Sequence, residues 1–470
     1  MSQDRRLFGT DGIRARFGEA PLDRATVTAL ASHLGSLLRE RSGGEVPLVV
    51  LGGDTRESTP EICRWLAAGL QGGDEGNEGD EIHPIDIRYA GVIPTPGVAW
   101  LTRHLGAAAG AVVSASHNPY PDNGIKLIDP QGCKWSEEEE EALERRLETG
   151  SALPAAPAAD PELAAEPELR DLYLRHLAAG LTAGLTGERP LEGLKIVLDV
   201  GNGAASSYAG PLFERLGARV TLLHAAPDGR NVNAGCGSTA PEEMAARVVA
   251  EGADLGAAFD GDADRCILAD ERGEVRDGDA ILYLWATSLR SRGQLDPARI
   301  VATSMSNLGL ERALAREGIG IERCDVGDRS VVAAMSRERI VLGGEQSGHI
   351  VQSELTSTGD GLLTAVQMAW LVRQAGRPLS QMLAGFRRYP QVLLNVRVAR
   401  KPDLATLPRV AAAARSVAER LGEDGRLVLR YSGTEPLARV MIEGPDQPTI
   451  ETLAGELAGV ISAEIGSPQT

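Results

Sequence analysis

Short apolar runs that stop abruptly at polar, glycine-containing loops recur along this chain of 470 residues. The run from Ala107 to Val113 has the small and β-branched residues of a buried strand, and it ends in the polar segment Ser114–Pro119, where neither a strand nor a helix continues. Runs of this kind alternate with segments of helical periodicity, which is the pattern of α/β folds. The sequence therefore predicts layered α/β units that display polar loops at the carboxyl ends of their strands.

The net charge and the lack of long apolar segments limit the classes of function. With 66 acidic and 48 basic residues the net charge is −18, which argues against a broad surface for nucleic acid or anionic membrane. Any phosphate group must therefore be held in a local pocket. The N-terminal residues lack an apolar signal segment, and no run of about 18 apolar residues follows, so we expect a cytoplasmic protein.

Composition gives the number of domains and the state of the cysteines. Hydrophobic residues make up 43% of the chain and aromatic residues only 4%, so Ala, Val, Leu and Ile must fill the cores. A chain of this length forms roughly two to four domains. Its cysteines are odd in number and lack metal-ligand spacing, which predicts reduced thiols and no zinc site. They are Cys63, Cys133, Cys236, Cys266 and Cys324.

Changes in composition mark the domain boundaries. Residues 151–168 are rich in proline and alanine, as in an extended spacer, and the strand and helix pattern changes after residue 388. We predict domains at 1–150, 165–272, 273–388 and 389–470. The acidic, glycine-rich segment 72–81 indicates a surface insertion, with metal binding as the weaker alternative.

The segment around Ser136 has the signature of a helix start. Ser136 followed by Glu139 fits a capping box, and the acidic run Glu137–Glu141 lies where the helix macrodipole favours anions. We expect that acidic run to form a solvated first turn.

The loop Ser114–Pro119 is the first candidate for chemistry. It presents two hydroxyls, an imidazole and an amide, and Ser116 is a candidate nucleophile because His117 and Lys126 lie close to it in sequence. The alternative is an ordinary polar turn with a solvent-facing histidine. Nearer the N-terminus, a glycine-containing turn presents Arg14, which is either a functional cation or a surface one.

A second polar loop carries three alternating carboxylates, Asp260, Asp262 and Asp264. These are hard oxygen ligands that converge on one point, as Mg²⁺ or Ca²⁺ requires. An EF-hand is the competing interpretation, but Arg265 stands where that loop needs glycine, and the flanking runs have strand character. Without a cation the three carboxylates would repel one another. We therefore favour a metal loop between two strands.

A third polar loop alternates Glu345, Ser347 and His349 between glycines, an arrangement suited to hydrogen-bonding the hydroxyls or amines of a sugar. By contrast, Gly201–Ser206 only superficially resembles a dinucleotide-binding loop. Its third glycine is missing, and no acidic residue follows at the distance that such a site requires.

A fourth polar loop lies in the differently patterned C-terminal part of the chain. It combines guanidinium forks, hydroxyls and free backbone N–H groups, the usual equipment for binding a phosphate monoester. A tight turn between antiparallel strands is the alternative, but it would not need two arginines. The residues are Arg430, Ser432, Gly433, Thr434 and Arg439.

Together these loops resemble the α-D-phosphohexomutase superfamily across nearly the whole chain. The motifs are SASHNP at Ser114–Pro119, DGDADR at Asp260–Arg265, GGEQSGH at Gly343–His349 and RYSGTEP at Arg430–Pro436. Within the superfamily the chain is most similar to bacterial phosphoglucosamine mutases. That similarity lies in FGTDGIR at Phe8–Arg14, NVNAGCGST at Asn231–Thr239, MSNLGLE at Met305–Glu311, VGDR at Val326–Arg329, and Gln346. Ser330 departs from the aromatic residue that often follows VGDR, in a loop implicated in sugar recognition.

The resemblance implies a fold and a set of roles. The fold would be α/β, with three related α/β domains and a smaller C-terminal α+β domain around a central cleft. Ser116 would be the phosphorylated nucleophile and would share one Mg²⁺ with Asp260, Asp262 and Asp264. His117, Lys126, Arg14 and Arg265 would surround the transferring phosphoryl group. We expect Lys126 and His349 to handle protons, and a bisphosphorylated sugar to act as activator.

Three functions remain open at this point. The first is interconversion of glucosamine 6-phosphate and glucosamine 1-phosphate, a small-molecule reaction without nucleic acid or membrane. The second is the corresponding phosphomannomutase or phosphoglucomutase reaction. The third, a non-catalytic sugar-phosphate sensor, would be favoured only if Ser116 or a metal-loop aspartate were absent, and all are present. The sequence gives no oligomeric state.

Overall fold

Three of the four sheets share one strand arrangement, which places their functional loops at equivalent positions. The computed structural model describes residues 7–9, 11–72, 84–149, 160–182, 189–432 and 435–467. In each of the three sheets a first strand lies between two parallel neighbours, and the second of these neighbours pairs antiparallel with the strand that follows it.

The first unit has a five-stranded sheet. Its strands are β1 (Ile13–Arg16), β2 (Leu48–Gly53), β3 (Asp86–Val92), β4 (Ala109–Val113) and β5 (Asp122–Ile128), in the spatial order β1-β5-β4-β2-β3. Its helices are α1 (Arg24–Arg41), α2 (Thr59–Gln71), α3 (Thr95–His104) and α4 (Glu137–Thr149).

The second unit has a five-stranded sheet preceded by a helix. The helices are α5 (Pro167–Thr182), α6 (Ala209–Arg215) and α7 (Glu242–Glu251). The strands are β6 (Lys195–Asp199), β7 (Arg219–Leu223), β8 (Leu255–Phe259), β9 (Cys266–Asp270) and β10 (Val275–Arg276), in the order β10-β9-β8-β6-β7.

The third unit has four strands, and the fourth unit has three. The third contains α8 (Gly278–Ser291), β11 (Arg299–Thr303), α9 (Leu308–Arg316), β12 (Gly320–Cys324), α10 (Asp328–Glu338), β13 (Leu342–Gly344), β14 (Ile350–Gln352), α11 (Gly361–Ala375) and α12 (Leu379–Met382), with sheet order β12-β11-β13-β14. The fourth contains β15 (Gln391–Arg397), α13 (Pro408–Leu421), β16 (Arg426–Tyr431), β17 (Leu437–Glu443) and α14 (Gln447–Ile465), with order β15-β17-β16.

The equivalent hairpins explain why three of the polar loops are functional candidates. The loop between β4 and β5 carries Ser116, the loop between β8 and β9 carries the aspartates, and the loop between β13 and β14 carries Glu345. The expected α/β fold with a distinct C-terminal α+β unit is confirmed. No helix among the described residues is both long and apolar enough to cross a bilayer.

A shared core joins the first three units. It runs from β4 and α3 through α5 and the second sheet to α8 and α11, while the fourth unit has a separate core. Helix α11 is buried from Gly361 through Val372, so it lies inside the molecule. Asp360 is the N-cap of this helix, because its side chain accepts a hydrogen bond from the Leu363 amide at 2.9 Å. The second Asp360 oxygen accepts the Tyr173 hydroxyl at 2.7 Å.

The start of α4 both confirms and corrects the sequence analysis. The capping box is present, because Ser136 and Glu139 exchange hydrogen bonds at 3.3 Å in both directions. The expectation of a solvated first turn is wrong for Glu140, which is buried against Arg329 at 2.8 Å. Its partner lies 189 residues away. Helix α10 begins within the VGDR motif, at Asp328.

Part of the predicted spacer and most of the acidic insertion lie outside the described residues. The spacer is described from residue 160 onward, where the chain leads to α5. Of the insertion 72–81, only Gly72 belongs to the described residues, as the C-cap of α2.

Candidate active site

Ser116 lies directly after β4 in a strained backbone conformation. Its φ angle is 51°, in the left-handed region that residues with a side chain rarely adopt. The buried hydroxyl donates a hydrogen bond of 2.6 Å to Asp260 Oδ2, and the Ser116 amide donates to Ser114 Oγ at 2.9 Å. Strain of this kind persists where the surroundings fix it, and it concentrates at functional sites.

A buried arginine fixes the loop that carries Ser116. The side chain of Arg56 is fully buried and pairs with Asp54 Oδ2 at 2.9 Å. Its guanidinium donates to the carbonyl oxygens of Ser116 at 2.9 Å, Asn118 at 2.8 Å and Pro119 at 2.7 Å. Because one rigid guanidinium binds three carbonyl oxygens of the loop, Arg56 holds Ser116 in its unusual conformation.

The second unit also contacts this loop. Asn233 Nδ2 donates to the Ser116 carbonyl at 2.9 Å, and the Glu57 amide donates to the Gly229 carbonyl at 2.9 Å. The Ser116 loop is therefore held from both units at once.

Strand order brings two predicted cations to the aspartates. Strand β5 lies between β1 and β4, so Arg14 on β1 and Lys126 on β5 are neighbours across the sheet. Lys126 Nζ is 2.8 Å from Asp262 Oδ2 and 3.4 Å from Asp11 Oδ2, and Asp11 also pairs with Arg14. Burial alone would lower the pKa of Lys126, but Asp11, Asp262 and Asp264 outweigh it and hold that pKa well above its usual value.

The three aspartates of the second loop suit a divalent cation. Asp260, Asp262 and Asp264 are buried, and one oxygen from each lies within 4.8 Å of the others. Asp262 Oδ1 and Asp264 Oδ1 are buried without a hydrogen-bond partner, an arrangement that costs free energy unless a cation occupies the space. Burial and the repulsion of Asp264 and Asp262 raise the pKa of Asp260 well above its usual value. Hard oxygen donors of this kind fit Mg²⁺.

The two predicted histidines occupy different surroundings. His117 Nδ1 lies 3.4 Å from Ser116 Oγ, and burial together with nearby Arg265 and Arg14 lowers the pKa of His117. His349 is buried behind the aspartates. Its Nδ1 lies 3.6 Å from Asp264 Oδ2, and its Nε2 accepts the Gly359 amide at 3.0 Å. Both nitrogens of His349 therefore face protein groups.

The third loop opens onto a cavity of about 470 Å³. Glu345 Oε1 accepts the Gly327 amide at 3.0 Å, and Ser347 Oγ donates to Glu345 Oε2 at 3.3 Å. Arg265 lines the same cavity, so the metal loop and the third loop meet there. The other lining residues include Asp277, Met305, Gln346 and Arg388.

The fourth loop lies between β16 and β17. Arg430 and Arg439 are opposite each other in the strand register. Arg439 donates to Ser432 Oγ at 3.4 Å, whereas Arg430 has no hydrogen-bond or ion-pair partner in the described parts of the chain. Gly433 and Thr434 lie outside the described residues. Among the described residues, no hydrogen bond joins Arg430, Ser432 or Arg439 to the Ser116 loop.

Sequence reasoning gave no role to several residues that hold the site together. Arg56, Asp11 and Asn233 are such residues, and Lys134, which pairs with both Asp11 and Asp328, is a fourth. The position of Arg56 directly after an apolar strand was a usable signal. Lys134 acts across a long separation without a local pattern, whereas Asn233 lies within the NVNAGCGST motif, which gave no sign of its contact with the Ser116 carbonyl.

Four domain families match the chain in order along its length. They are described as phosphoglucomutase/phosphomannomutase alpha/beta/alpha domain I at residues 5–153, domain II at 171–273, domain III at 277–389 and the C-terminal domain at 393–460.

Curated relatives match over almost the full length of both chains. A phosphoglucosamine mutase of Symbiobacterium thermophilum is 45% identical, with 98% of this chain and 99% of the relative covered. A phosphoglucosamine mutase of Moorella thermoacetica is 44% identical, with 97% and 99% covered.

Solved structures confirm the fold. A phosphoglucomutase/phosphomannomutase family protein of Burkholderia thailandensis superposes with a TM-score of 0.77 at 23% identity, covering 98% of this chain and 97% of that one. An N-acetylphosphoglucosamine mutase of Aspergillus fumigatus, solved with GlcNAc-6P and magnesium, gives 0.63 at 18% identity, with 98% and 96% covered. With the family domains and the curated relatives, these findings show that the chain belongs to the phosphoglucomutase/phosphomannomutase family of α-D-phosphohexomutases and groups there with the phosphoglucosamine mutases.

Proposed function

We propose that this protein interconverts glucosamine 6-phosphate and glucosamine 1-phosphate through a phosphorylated Ser116 and a sugar bisphosphate. The observation that carries the proposal is the position of the Ser116 hydroxyl, which is buried, strained and 2.6 Å from a carboxylate of the metal loop. The sugar itself is taken from the curated relatives, which are phosphoglucosamine mutases at 40–45% identity.

The reaction consists of two phosphoryl transfers. In the first, the bond between Ser116 Oγ and phosphorus breaks as a sugar hydroxyl oxygen bonds to that phosphorus, and the hydroxyl proton leaves to a base. The bisphosphate then reorients. In the second transfer, the phosphoryl group at the other end of the sugar returns to Ser116, and a proton goes back to the sugar oxygen.

The chain supplies fixed positive charge around the transferring group. Lys126, Arg14 and Arg265 surround it, and Lys126 Nζ lies 2.8 Å from Asp262, so Lys126 is placed to stabilise charge at the metal loop. His117 is the better candidate base, since its lowered pKa keeps the imidazole neutral and its Nδ1 lies 3.4 Å from Ser116 Oγ. Both ring nitrogens of His349 face protein groups, so this ring is placed to orient the Asp264 carboxylate.

Asp260, Asp262, Asp264 and the Ser116 side chain would hold one Mg²⁺. When bound, the ion supplies positive charge to the phosphate oxygens. A bisphosphorylated sugar would serve as activator by leaving its phosphoryl group on Ser116. The Aspergillus fumigatus neighbour, solved with GlcNAc-6P and magnesium, supports both the ligand class and the metal.

Glu345 and Ser347 are the proposed contacts of the sugar. Among the described residues, Glu345 Oε2 receives only the long Ser347 hydrogen bond of 3.3 Å, so that oxygen has capacity for a protonated 2-amino group. A charge-assisted hydrogen bond of this kind is stronger than one to a neutral hydroxyl.

The phosphate that does not react would bind to Arg430, Ser432, Gly433, Thr434 and Arg439. The Arg430 guanidinium has no hydrogen-bond or ion-pair partner among the described residues, and burial together with nearby Arg439 lowers its pKa, whereas Arg439 pairs with Glu435 at 3.3 Å. We expect Arg430→Ala to weaken binding of the phosphosugar by roughly ten- to hundred-fold, because a hydrogen bond between charged groups contributes about 1.5–3 kcal/mol. Isothermal titration calorimetry measures this change.

Arg420→Ala is the matched control for Arg430→Ala. Arg420 lies in the same unit and pairs with Glu456 at its surface, at 2.6 Å. Arg420→Ala should leave the binding constant for the phosphosugar unchanged. Neither variant should move the melting temperature by more than a few degrees. Equal affinities for Arg430→Ala and wild type would remove Arg430 from the site.

The choice of sugar is tested by measuring kcat/KM side by side for three sugar 6-phosphates. We expect kcat/KM for glucosamine 6-phosphate to exceed the values for glucose and mannose 6-phosphates by at least about tenfold, or ~1.4 kcal/mol of differential transition-state binding. Each assay includes the matching bisphosphate. A smaller ratio would favour the phosphoglucomutase or phosphomannomutase reaction, and binding without turnover of any sugar would favour a sensor.

A further inference from the structure

A second group of metal-ligand side chains lies in the second unit, apart from the aspartate loop. Asp199 ends β6, His224 follows β7, and Cys236 lies in the loop before α7. One potential ligand atom from each of the three lies within 4.8 Å of the others. The residues are separated by many positions in the sequence, so cysteine spacing gives no sign of the group.

The imidazole of His224 lies between two carboxylates. Its Nδ1 is 3.0 Å from Asp199 Oδ1, and its Nε2 is 3.3 Å from Glu243 Oε2. A neutral imidazole has one proton, and Glu243 is placed to accept that proton from Nε2. With that tautomer Nδ1 presents a lone pair to Asp199, whose carboxylate also accepts the Gly201 and Gly237 amides at 2.9 Å, and Nδ1 is buried with no hydrogen-bond partner among the described residues. A cation between Nδ1 and Asp199 removes this repulsion.

The third member of the group, Cys236, indicates that the cation is a metal ion of intermediate softness. Cys236 Sγ is buried, and its contact at hydrogen-bonding range is a weak one, Asn202 Nδ2 at 3.9 Å. Thiolate, imidazole and carboxylate form a ligand set for Zn²⁺ and similar ions, in contrast to the oxygen-only set of the aspartate loop. A thiolate and a carboxylate together would neutralise a divalent ion.

Two further features fit a metal site. A histidine that binds a metal commonly donates its other ring N–H to a carboxylate, which is the position of Glu243. The His224 backbone has a φ of 50°, in the left-handed region, and its side chain is 24% exposed. The ligating atom Nδ1 is itself buried, and so are Asp199 and Cys236.

We propose that Asp199, His224 and Cys236 form a second metal site, selective for Zn²⁺ and related transition cations, with Glu243 orienting the imidazole. The site goes beyond the proposed mutase reaction and does not depend on it. Asn233 lies on the same loop as Cys236 and binds the Ser116 carbonyl, so a bound ion would anchor the segment that supports the Ser116 loop.

Cobalt(II) is the probe, because a bond between cobalt and thiolate gives an intense charge-transfer absorption that oxygen ligands do not give. The full chain is titrated with Co²⁺ while excess Mg²⁺ occupies the aspartate loop. We expect the absorption to saturate at one equivalent and to disappear when Zn²⁺ is added.

Three variants locate the site. Cys236→Ser should lose the absorption, whereas Cys324→Ser, which alters a partly buried cysteine of the third unit, should retain it. His224→Asn tests the site independently of Cys236, since asparagine tolerates the left-handed backbone, and it should weaken Co²⁺ binding by at least about tenfold. An absence of thiolate absorption in the wild type, as expected if His224 is simply doubly protonated, would overturn the proposal. So would absorption that persists in Cys236→Ser or an unchanged affinity in His224→Asn.

Discussion

Ser116→Ala is expected to lower kcat by at least about a thousandfold, equivalent to ~4 kcal/mol of transition-state stabilisation. The variant keeps the backbone of the loop but lacks the oxygen that would carry the phosphoryl group between the two half-reactions. Arg56 binds the Ser116 carbonyl and not its hydroxyl, so the loop should remain in place. Steady-state assays give kcat, and intact-mass measurement after incubation with the bisphosphate shows whether the chain takes up a phosphoryl group.

Ser114→Ala is the matched control in the same loop. The Ser114 hydroxyl donates to Asp54 Oδ2 at 2.6 Å and accepts the Ser116 amide at 2.9 Å. It therefore has a structural role and makes no hydrogen bond to the aspartates of the metal loop. Its loss should lower the free energy of unfolding by about 1–3 kcal/mol, because a buried carboxylate loses a donor. Phosphorylation should persist in that variant. Retained turnover in Ser116→Ala, or phosphate on that variant, would contradict the assignment of the nucleophile.

Local signals in the sequence were sufficient to predict most of the fold. The run Ala107–Val113 was identified as a strand, and β4 spans Ala109–Val113. The capping box of α4 depends on residues three positions apart, so it was visible without the structure. The equivalent position of the polar loops in three sheets was not visible in the sequence, because it follows from strand order. In three sheets the candidate loop joins the third parallel strand to its antiparallel neighbour.

The interactions that the sequence did not reveal join distant parts of the chain. Glu140 was assigned to a solvated turn because its neighbours are acidic, yet Arg329 from the third unit buries it. The Arg56 guanidinium reaches carbonyl oxygens about 60 residues away, at Ser116 and Asn118. Backbone oxygens carry no sequence signature, so this contact had no local pattern. A propensity or motif describes one segment, whereas these contacts are fixed by how segments pack.

The second large effect concerns the metal. Removal of divalent cations should lower turnover by at least about a hundredfold, or ~2.7 kcal/mol, and Mg²⁺ should restore it. The three buried aspartates have Lys126 as their short-range cationic partner, and phosphorylation of Ser116 would add about −1.5 to −2 charges beside them. The chain's own cations at this position are too few to offset that charge. Circular dichroism should remain unchanged by the chelator, since Lys126 and the Thr95 hydroxyl still bind Asp262 at 2.8 and 2.6 Å.

A pair of substitutions beyond the two ends of β8 separates the aspartate loop from nonspecific effects of the chelator. Asp264→Asn should lose Mg²⁺-dependent turnover, because it removes one carboxylate from the loop at the carboxyl end of the strand. Asp254→Asn makes the same chemical change at the opposite end, where Asp254 accepts the Lys195 amide at 2.8 Å, and it should keep its Mg²⁺ dependence. Elemental analysis measures the bound metal in each protein. Full activity after exhaustive chelation, with no metal detectable, would exclude the metal from the reaction, because the three carboxylates would then work without a cation between them.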